Sequence, residues 1–207
     1  MTVNAAAGSG GGSTDGGGDN GSNGAAGQSS SSCPAVASVA NIAAVPEGDS
    51  GSTPAVFTLR LDKASASTTT VDWTTQDQSA LAPSDYIAAS GTASFAPGVT
   101  ALAVTISVQG DTLDEADESF WLKISGVSGG LQFDPTPASV TITDDDAPVA
   151  LSVANALVSP EGDSGSSPAV FVATLSAASG KTVTAAYATA NSSSIAPGDY
   201  TSTSGSL

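Results

Sequence analysis

The run Ala101–Val108, ALAVTISV, alternates apolar residues with small or polar ones. Successive side chains of an extended strand point to opposite faces, so every second residue shares a face. The apolar members of this run fall on one such face: Leu102, Val104, Ile106 and Val108. This period of two predicts a β-strand that is buried on one side.

The same period recurs in the segments around this run. FTLRL and SFWLKI each place three apolar residues on one face: Phe57, Leu59 and Leu61, and Phe120, Leu122 and Ile124. Four further runs have strand composition: VASVANIAAV, TTTVDWTT, GTASF and ASVTIT. About seven strands within about 110 residues, divided by Gly, Pro, Asp and Ser and without a helical stretch, are typical of an immunoglobulin-like sandwich. The sequence therefore predicts an all-β fold, an antiparallel β-sandwich.

The chain repeats itself. SVAN at Ser38–Asn41 returns at Ser152–Asn155, and PEGDSGS at Pro46–Ser52 returns at Pro160–Ser166, both at an offset of 114 residues. At this offset half of the positions from Ser38 onward are identical, which indicates tandem copies of one module. The second copy has no counterpart of residues 94–146.

Three zones follow from this organisation. Residues 1–35 are rich in Gly and Ser and lack aromatic residues, so we expect a disordered tether. Residues 36–147, here called repeat one, form the complete sandwich. Residues 148–207, repeat two, form an incomplete copy, whose unpaired strand edges lead us to expect poor order or pairing with another chain. The start MTVNAAAGSG lacks the layout of a signal peptide, and we expect the chain to be an excerpt from a longer array.

Composition excludes several classes of function. The chain has no His, one Cys and a formal net charge of −16, with 20 acidic residues against four basic ones. Without His, and with Cys33 alone, hydrolytic triads and zinc sites are not expected, and the chain is predicted not to be an enzyme. Cys33 is expected to be a free thiol. The negative charge would repel phosphate backbones, so nucleic acid is not expected as a partner, whereas cations are.

Acidic residues gather in four segments that flank strand ends. These are Glu47, Asp85, the run GDTLDEADE from Gly110 to Glu118, and Asp144–Asp146. Alternate strand ends of an antiparallel Greek key share one pole of the sandwich, so we expect the four segments to meet there. Clustered carboxylates raise one another's pKa unless a cation compensates them. Oxygen donors without His or Cys favour calcium, and magnesium is the weaker alternative.

These residues resemble the Calx-beta family, known from sodium/calcium exchangers and from bacterial surface proteins. The resemblance is carried by Glu47 in PEGDSG, the pair Asp85-Tyr86, the stretch GDTLDEADESF and the terminal Asp144–Asp146. It implies side-chain ligands for calcium and one backbone carbonyl near Leu113; the side chains are Glu47, Asp85, Asp111, Glu115, Glu118, Asp144, Asp145 and Asp146. The family pattern has two adjacent acids where this chain has Gly110-Asp111, which implies one ligand fewer. Asp114 and Asp117 have no counterpart among these ligands and are expected to be solvated.

Two aromatic residues are assigned to packing rather than to binding. Trp73 is expected in the core, and Tyr86 at a loop corner, where sandwiches commonly use a tyrosine. Trp121 is expected on the outer face, which makes it a candidate contact residue.

The leading functional hypothesis is a calcium-stabilised module of an extracellular or cell-surface array, used for adhesion, matrix formation or spacing. Calcium ions are the expected partner, together with other surface or matrix proteins, and no membrane span is expected in this chain. Two alternatives are open: a calcium sensor that changes its partner contacts, and a non-catalytic accessory domain of a larger secreted enzyme.

Overall fold

The computed structural model describes residues 33–156 and 162–207. Repeat one contains nine strands: β1 Val36–Val39, β2 Val45–Pro46, β3 Gly51–Leu61, β4 Thr69–Asp77, β5 Ser90–Phe95, β6 Ala101–Gly110, β7 Glu118–Val127, β8 Gln132–Phe133 and β9 Ala138–Thr143. The predicted tether lies outside the described residues except for its last three, of which Cys33 is exposed. No helix in the described part of the chain is long and apolar enough to cross a membrane.

The nine strands form two sheets. One has the order β6-β3-β1-β8 and the other the order β2-β9-β7-β4-β5. Most neighbours are antiparallel, while the short pairings β1 with β8 and β2 with β9 are parallel. The predicted β-sandwich is confirmed, and each of the seven predicted runs contains a strand.

The core lies between the two sheets and is built by the faces that the period of two predicts. Phe57 and Leu59 of β3, Ile106 of β6, and Phe120 of β7 are all at most 1% exposed. The Phe120 ring is stacked on Tyr86 at 4.1 Å and meets Phe57 edge-on at 6.1 Å. Such aromatic pairs add to the hydrophobic gain of burying the rings, so this trio ties the sheets together.

The run VASVANIAAV is one predicted strand but forms two, one in each sheet. β1 pairs with β3, and β2 pairs with β9 in the other sheet. At the crossing, Asn41 Oδ1 accepts a hydrogen bond from Ser139 N at 2.8 Å. The crossing brings β2 beside the end of β9, where Glu47 N donates to Thr143 O at 3.2 Å.

Of the predictions for the aromatic residues, the one for Tyr86 is confirmed in full. Tyr86 is 1% exposed and its hydroxyl donates to Asp77 Oδ1, which anchors the corner between β4 and β5. Trp73 packs against the core but is only half-buried, and its ring lies over Gly91. A bulge lies between Asp72 and Trp73. Trp121 is also half-buried.

Repeat two forms four short strands in its described part: β10 Leu151–Val153, β11 Ala173–Leu175, β12 Ala186–Ala188 and β13 Ser204–Ser206. They make two separate two-stranded sheets, β10-β11 and β12-β13. Large apolar side chains are exposed there, among them Val170 at 70% and Phe171 at 60%. The expectation that repeat two is poorly ordered or pairs with another chain stays a prediction.

Candidate metal centre

The four acidic segments meet at one pole of repeat one. Glu47 follows β2, Asp85 lies in the corner between β4 and β5, the acidic loop joins β6 to β7, and Asp144 follows β9. The corner is held beside β6 because Gln109 N donates to Asp85 O at 2.9 Å. Side chains from all four segments line a cavity of about 10 Å³: Glu47, Asp85, Glu115, Ala116, Glu118, Ile142 and Asp144. The cavity has room for one water-sized sphere.

Three carboxylates come closest together. Glu47, Asp144 and Asp146 each offer one oxygen, and these oxygens lie within 4.8 Å of one another. Two oxygens on opposite sides of one calcium ion are about 4.6–5.2 Å apart, since each Ca–O distance is about 2.3–2.6 Å. The trio therefore lies within the span that one such ion bridges.

Two residues of this trio each have a buried carboxylate oxygen without a hydrogen-bond partner. These oxygens are Glu47 Oε1 and Asp146 Oδ2, and Glu47 as a whole is only 6% exposed. A buried carboxylate oxygen without a partner is costly, because the group has lost its water and gained no donor. No protein group in the described part of the chain donates a hydrogen bond to this orphaned pair of oxygens.

The raised pKa values of the glutamates at the pole reflect the same cost of burial. Burial, together with repulsion from Asp111, Asp144 and Asp146, raises the pKa of Glu47 to about 7. Glu118 behaves alike: burial raises its pKa to about 7, assisted by a hydrogen bond to Asp85. At neutral pH these two glutamates are therefore only partly ionised unless a cation joins them.

Two more acids at the pole have raised pKa values. Burial raises the pKa of Glu115, with Asp111 and Asp85 adding to the effect. Burial also raises the pKa of Asp146, followed by repulsion from Asp49 and Asp144. The repulsion links residues from different segments, so the pole acts as one electrostatic unit.

Backbone hydrogen bonds fix some of the carboxylates in place. Asp85 Oδ2 accepts a bond from Leu81 N at 2.6 Å, and Asp111 Oδ1 accepts one from Leu113 N at 2.7 Å. Both are turn-forming contacts of the kind that aspartate makes with nearby backbone. These bonds hold both aspartates in their turns beside the pole.

Gly110 stands where the family resemblance implies a second acid beside Asp111. A Cβ at this position would collide with Gly48 O and would lie 2.6 Å from Glu47 O. Only glycine lets the end of β6 approach the backbone of the Glu47 segment so closely. A second acid at this position would push Glu47 away from the pole.

The structure places the remaining predicted ligands at the margin of the cavity. Asp111 is exposed but close enough to raise the pKa of Glu47. Asp145 is exposed, and its Oδ1 accepts a bond from Gly48 N at 2.9 Å. Leu113 is half-buried. The roles of all the predicted ligands, Asp145 and the Leu113 carbonyl among them, stay predictions.

The expectation that Asp114 is solvated is wrong. Asp114 is 6% exposed and its Oδ1 forms an ion pair with Lys181 Nζ of repeat two at 2.5 Å. The hydrogen bond from Lys181 lowers the pKa of Asp114. Asp117 is exposed as expected, with Asp144 N donating to its Oδ1 at 3.2 Å.

Sequence reasoning missed three contributors to the pole. Asp49 raises the pKa of Asp146, and its signal was its place in PEGDSGS beside Glu47. Gly110 acts through close backbone approach, which no local pattern reveals. Lys181 reaches the pole from the other repeat, and its charge among only four basic residues was the available clue.

Both repeats match the model of one protein family. The model of the Calx-beta domain matches residues 44–146 and, a second time, residues 144–207. The chain belongs to the Calx-beta domain family. The two matches also confirm the tandem copies that the internal repeat indicates, and the pole described above belongs to the first Calx-beta domain.

Individual relatives of these Calx-beta domains cover smaller parts of the chain. The sodium/calcium exchanger Calx of Drosophila melanogaster is 38% identical over 77 residues, which are 37% of this chain and 8% of the exchanger. A crystal structure of CBD12 from CALX1.2 is 27% identical, with a TM-score of 0.49, over 54% of this chain and 46% of its own. The apo-form Calx CBD1 domain is 26% identical, with a TM-score of 0.48, over 53% of this chain and 98% of its own.

Proposed function

We propose that repeat one binds calcium at the pole formed by its four acidic segments. The observation that carries this proposal is the orphaned pair of buried oxygens, Glu47 Oε1 and Asp146 Oδ2. Their residues form a trio with Asp144, in which each residue offers one oxygen within 4.8 Å of the others. A cation between them would satisfy both oxygens and offset the repulsion that raises the pKa of Glu47. The residues present therefore fit a bound metal ion.

The chemistry of the donors favours calcium over other metals. Among the described residues every titratable group at the cavity is a carboxylate, and the chain has no His. Carboxylate oxygens in an irregular set of 6–8 ligands suit calcium, whereas magnesium prefers a strict octahedron and retains its waters. Zinc and copper prefer nitrogen or sulfur donors.

The ligand set that we propose divides into a core and a margin. The core consists of Glu47, Asp144 and Asp146, with Asp85, Glu115 and Glu118 completing the cavity wall. Asp111, Asp145 and the Leu113 carbonyl would act at the margin, where solvent also supplies ligands. Gly110 excludes a further acid, so we expect moderate affinity.

The wider role that we propose is a non-catalytic module of a surface array. Calcium would hold the acidic pole of repeat one together next to the junction with repeat two, which begins directly after Asp146 and Ala147. Moderate affinity suits the calcium concentrations outside cells. Adhesion, matrix formation or spacing are the tasks that such a stiffened array would serve.

A calcium sensor is the second candidate, and one contact favours it. Lys181 of repeat two bonds Asp144 Oδ2 at 3.2 Å, so the proposed ligand and the neighbouring repeat are directly linked. The similarity to a sodium/calcium exchanger fits the same role. A sensor would respond near micromolar calcium with a change of shape in scattering, and an array module would respond near millimolar without one.

Calorimetric titration and thermal unfolding test the proposal. We expect calcium to bind with measurable heat, and a hundredfold excess over the dissociation constant to add about 2.7 kcal/mol to the free energy of unfolding. For a domain of this size that raises the melting temperature by about 10 °C. Magnesium at the same concentration should do much less.

Paired variants supply the control. Asp144→Asn together with Asp146→Asn should abolish both the heat and the stabilisation, because two of the three core ligands lose charge. Asp199→Asn, at the position in repeat two that corresponds to Asp85, should alter neither. Unchanged binding in the double variant would remove the metal from this pole.

A further inference from the structure

The loop Ser179–Lys181 of repeat two lies against Asp114 in the acidic loop of repeat one. Gly180 N and Ser179 Oγ both donate to Asp114 O, at 3.1 and 3.0 Å. Lys181 Nζ pairs with Asp114 Oδ1. Repeat two thus engages both the backbone and the side chain of a single residue of repeat one.

The fit of this loop is close. A Cβ at Gly180 would collide with the Glu115 side chain, so the loop lies directly against the wall of the cavity. Ser179 Oγ also accepts a bond from Lys181 N at 3.1 Å, which closes a turn within the loop. Asp114 Oδ2 accepts a longer bond from Val149 N at 3.4 Å.

Lys181 makes a second ionic contact, with an acid of the pole. Its Nζ bonds Asp144 Oδ2 at 3.2 Å while it holds Asp114. Asp114 is outside the proposed ligand set, and Asp144 is inside it. The ammonium group therefore bridges a docking residue and a proposed calcium ligand.

We propose that the Ser179–Lys181 loop is a docking element between the repeats and that Lys181 is a tethered counter-ion which competes with calcium at Asp144. The competition rests on the proposed function. The docking contacts stand on their own.

Charge explains the competition. Without calcium the ammonium group offsets part of the repulsion among the carboxylates, which stabilises the empty pole. With calcium present the two cations repel each other, and Asp144 Oδ2 cannot serve both fully. Because Asp114 holds Lys181 at the rim, the ammonium stays at a high effective concentration. The pKa of Lys181 is raised, first by its hydrogen bond to Asp114, in keeping with this role.

The test compares Lys181→Gln with Lys123→Gln in the full chain. Lys123 donates to Gln76 Oε1 on the neighbouring strand, so its loss removes the same charge without touching the Asp114 contact. We expect Lys181→Gln to bind calcium about three- to fivefold more tightly, the effect of a partly exposed ion pair. It should also melt a few degrees lower in the absence of calcium. Lys123→Gln should do neither, and high salt should shrink the difference.

Asp114→Asn supplies a second variant that keeps the lysine but loosens its anchor. It should lower the melting temperature without calcium and should also raise calcium affinity, because Lys181 no longer stays at the rim. Wild-type binding with an unaltered Lys181→Gln affinity overturns the counter-ion role alone. If the wild-type chain gives no calcium heat, the proposed function fails and the competition fails with it.

Discussion

The two repeats share their strand pairing. In repeat one β1 pairs with β3 in a register that sets Ala37 opposite Leu61. In repeat two β10 pairs with β11 in the equivalent register, with Leu151 opposite Leu175. The hairpins β4-β5 and β12-β13 also keep equivalent registers.

The corner before the fifth strand is shared as well. Asp85 Oδ2 accepts a bond from Leu81 N at 2.6 Å, and Asp199 Oδ2 accepts one from Ile195 N at 2.7 Å. The tyrosine that follows the aspartate bonds a side chain nine positions upstream in both repeats. These local contacts are therefore dictated by the segments that the repeats have in common.

Burial is where the repeats differ. Phe57 is 0% exposed, whereas Phe171, at the same place in repeat two, is 60% exposed. In repeat one β6 pairs with β3 from Gly51 to Arg60, and β7 supplies Phe120. Within the described part of repeat two no strand plays either role. Hairpins and turns form from local sequence, while the core and the acidic pole require the second half of the module.

We expect the largest difference in stability between variants at Phe57 and Phe171, which occupy matching positions in the two repeats. Phe57→Ala should lower the free energy of unfolding by about 3–5 kcal/mol, because it empties a fully buried site. Phe171→Ala should change it by less than about 0.5 kcal/mol. Both tryptophans lie in repeat one, so fluorescence during urea unfolding measures the effect. An equal loss in the two variants would mean that Phe171 is packed in solution.

The next largest effect that we expect is a dependence of the free energy of unfolding of repeat one on pH. Glu47 has a pKa of about 7 in the folded chain against an ordinary value of 4.5. Between these values the unfolded chain has released a proton that the folded chain keeps, so the calcium-free free energy of unfolding falls as pH rises. The loss should be on the order of 3 kcal/mol for this group.

Urea unfolding from pH 4 to pH 8 without calcium measures this slope, and Glu47→Gln should flatten it. Glu118, whose pKa is also about 7, should account for what remains. Calcium should remove the slope and release protons on binding near pH 6. A calcium-free stability that rises from pH 5 to pH 7 would contradict the burial of these carboxyls.

A smaller effect should follow from Gly110→Ala. The new methyl group would collide with Gly48 O and Glu47 O, so we expect a loss of about 1–3 kcal/mol together with weaker calcium binding. Gly198→Ala in repeat two is the matched control, since a Cβ there meets only Ile195 O at 3.6 Å. Calorimetry on both variants checks the pair, and unchanged calcium binding in Gly110→Ala would argue against the close approach.

Most of the fold could be predicted from the period of two. The faces of β3, β6 and β7 follow directly from alternation, because burial on one side enforces it. The crossing of VASVANIAAV between the sheets could not be predicted, since alternation specifies a face but not a sheet. The bulge beside Trp73 is also not revealed by the run TTTVDWTT.

The candidate site could also be predicted only in part. Strand ends in a Greek key share a pole, so the meeting of Glu47, Asp85 and Asp144 could be predicted from their places in the chain. The buried state of Asp114 could not, because it depends on Lys181, which is distant in sequence and belongs to the other repeat. Contacts between repeats are set by docking, and no local pattern encodes them.

Anomalous scattering from crystals soaked in calcium tests whether the acidic pole of repeat one binds a metal ion. We expect a peak at this pole, coordinated by Glu47, Asp144 and Asp146, and no such peak beside Asp199 in repeat two. A pole without a peak at millimolar calcium, or a peak bound only by exposed acids such as Asp49, would contradict this expectation.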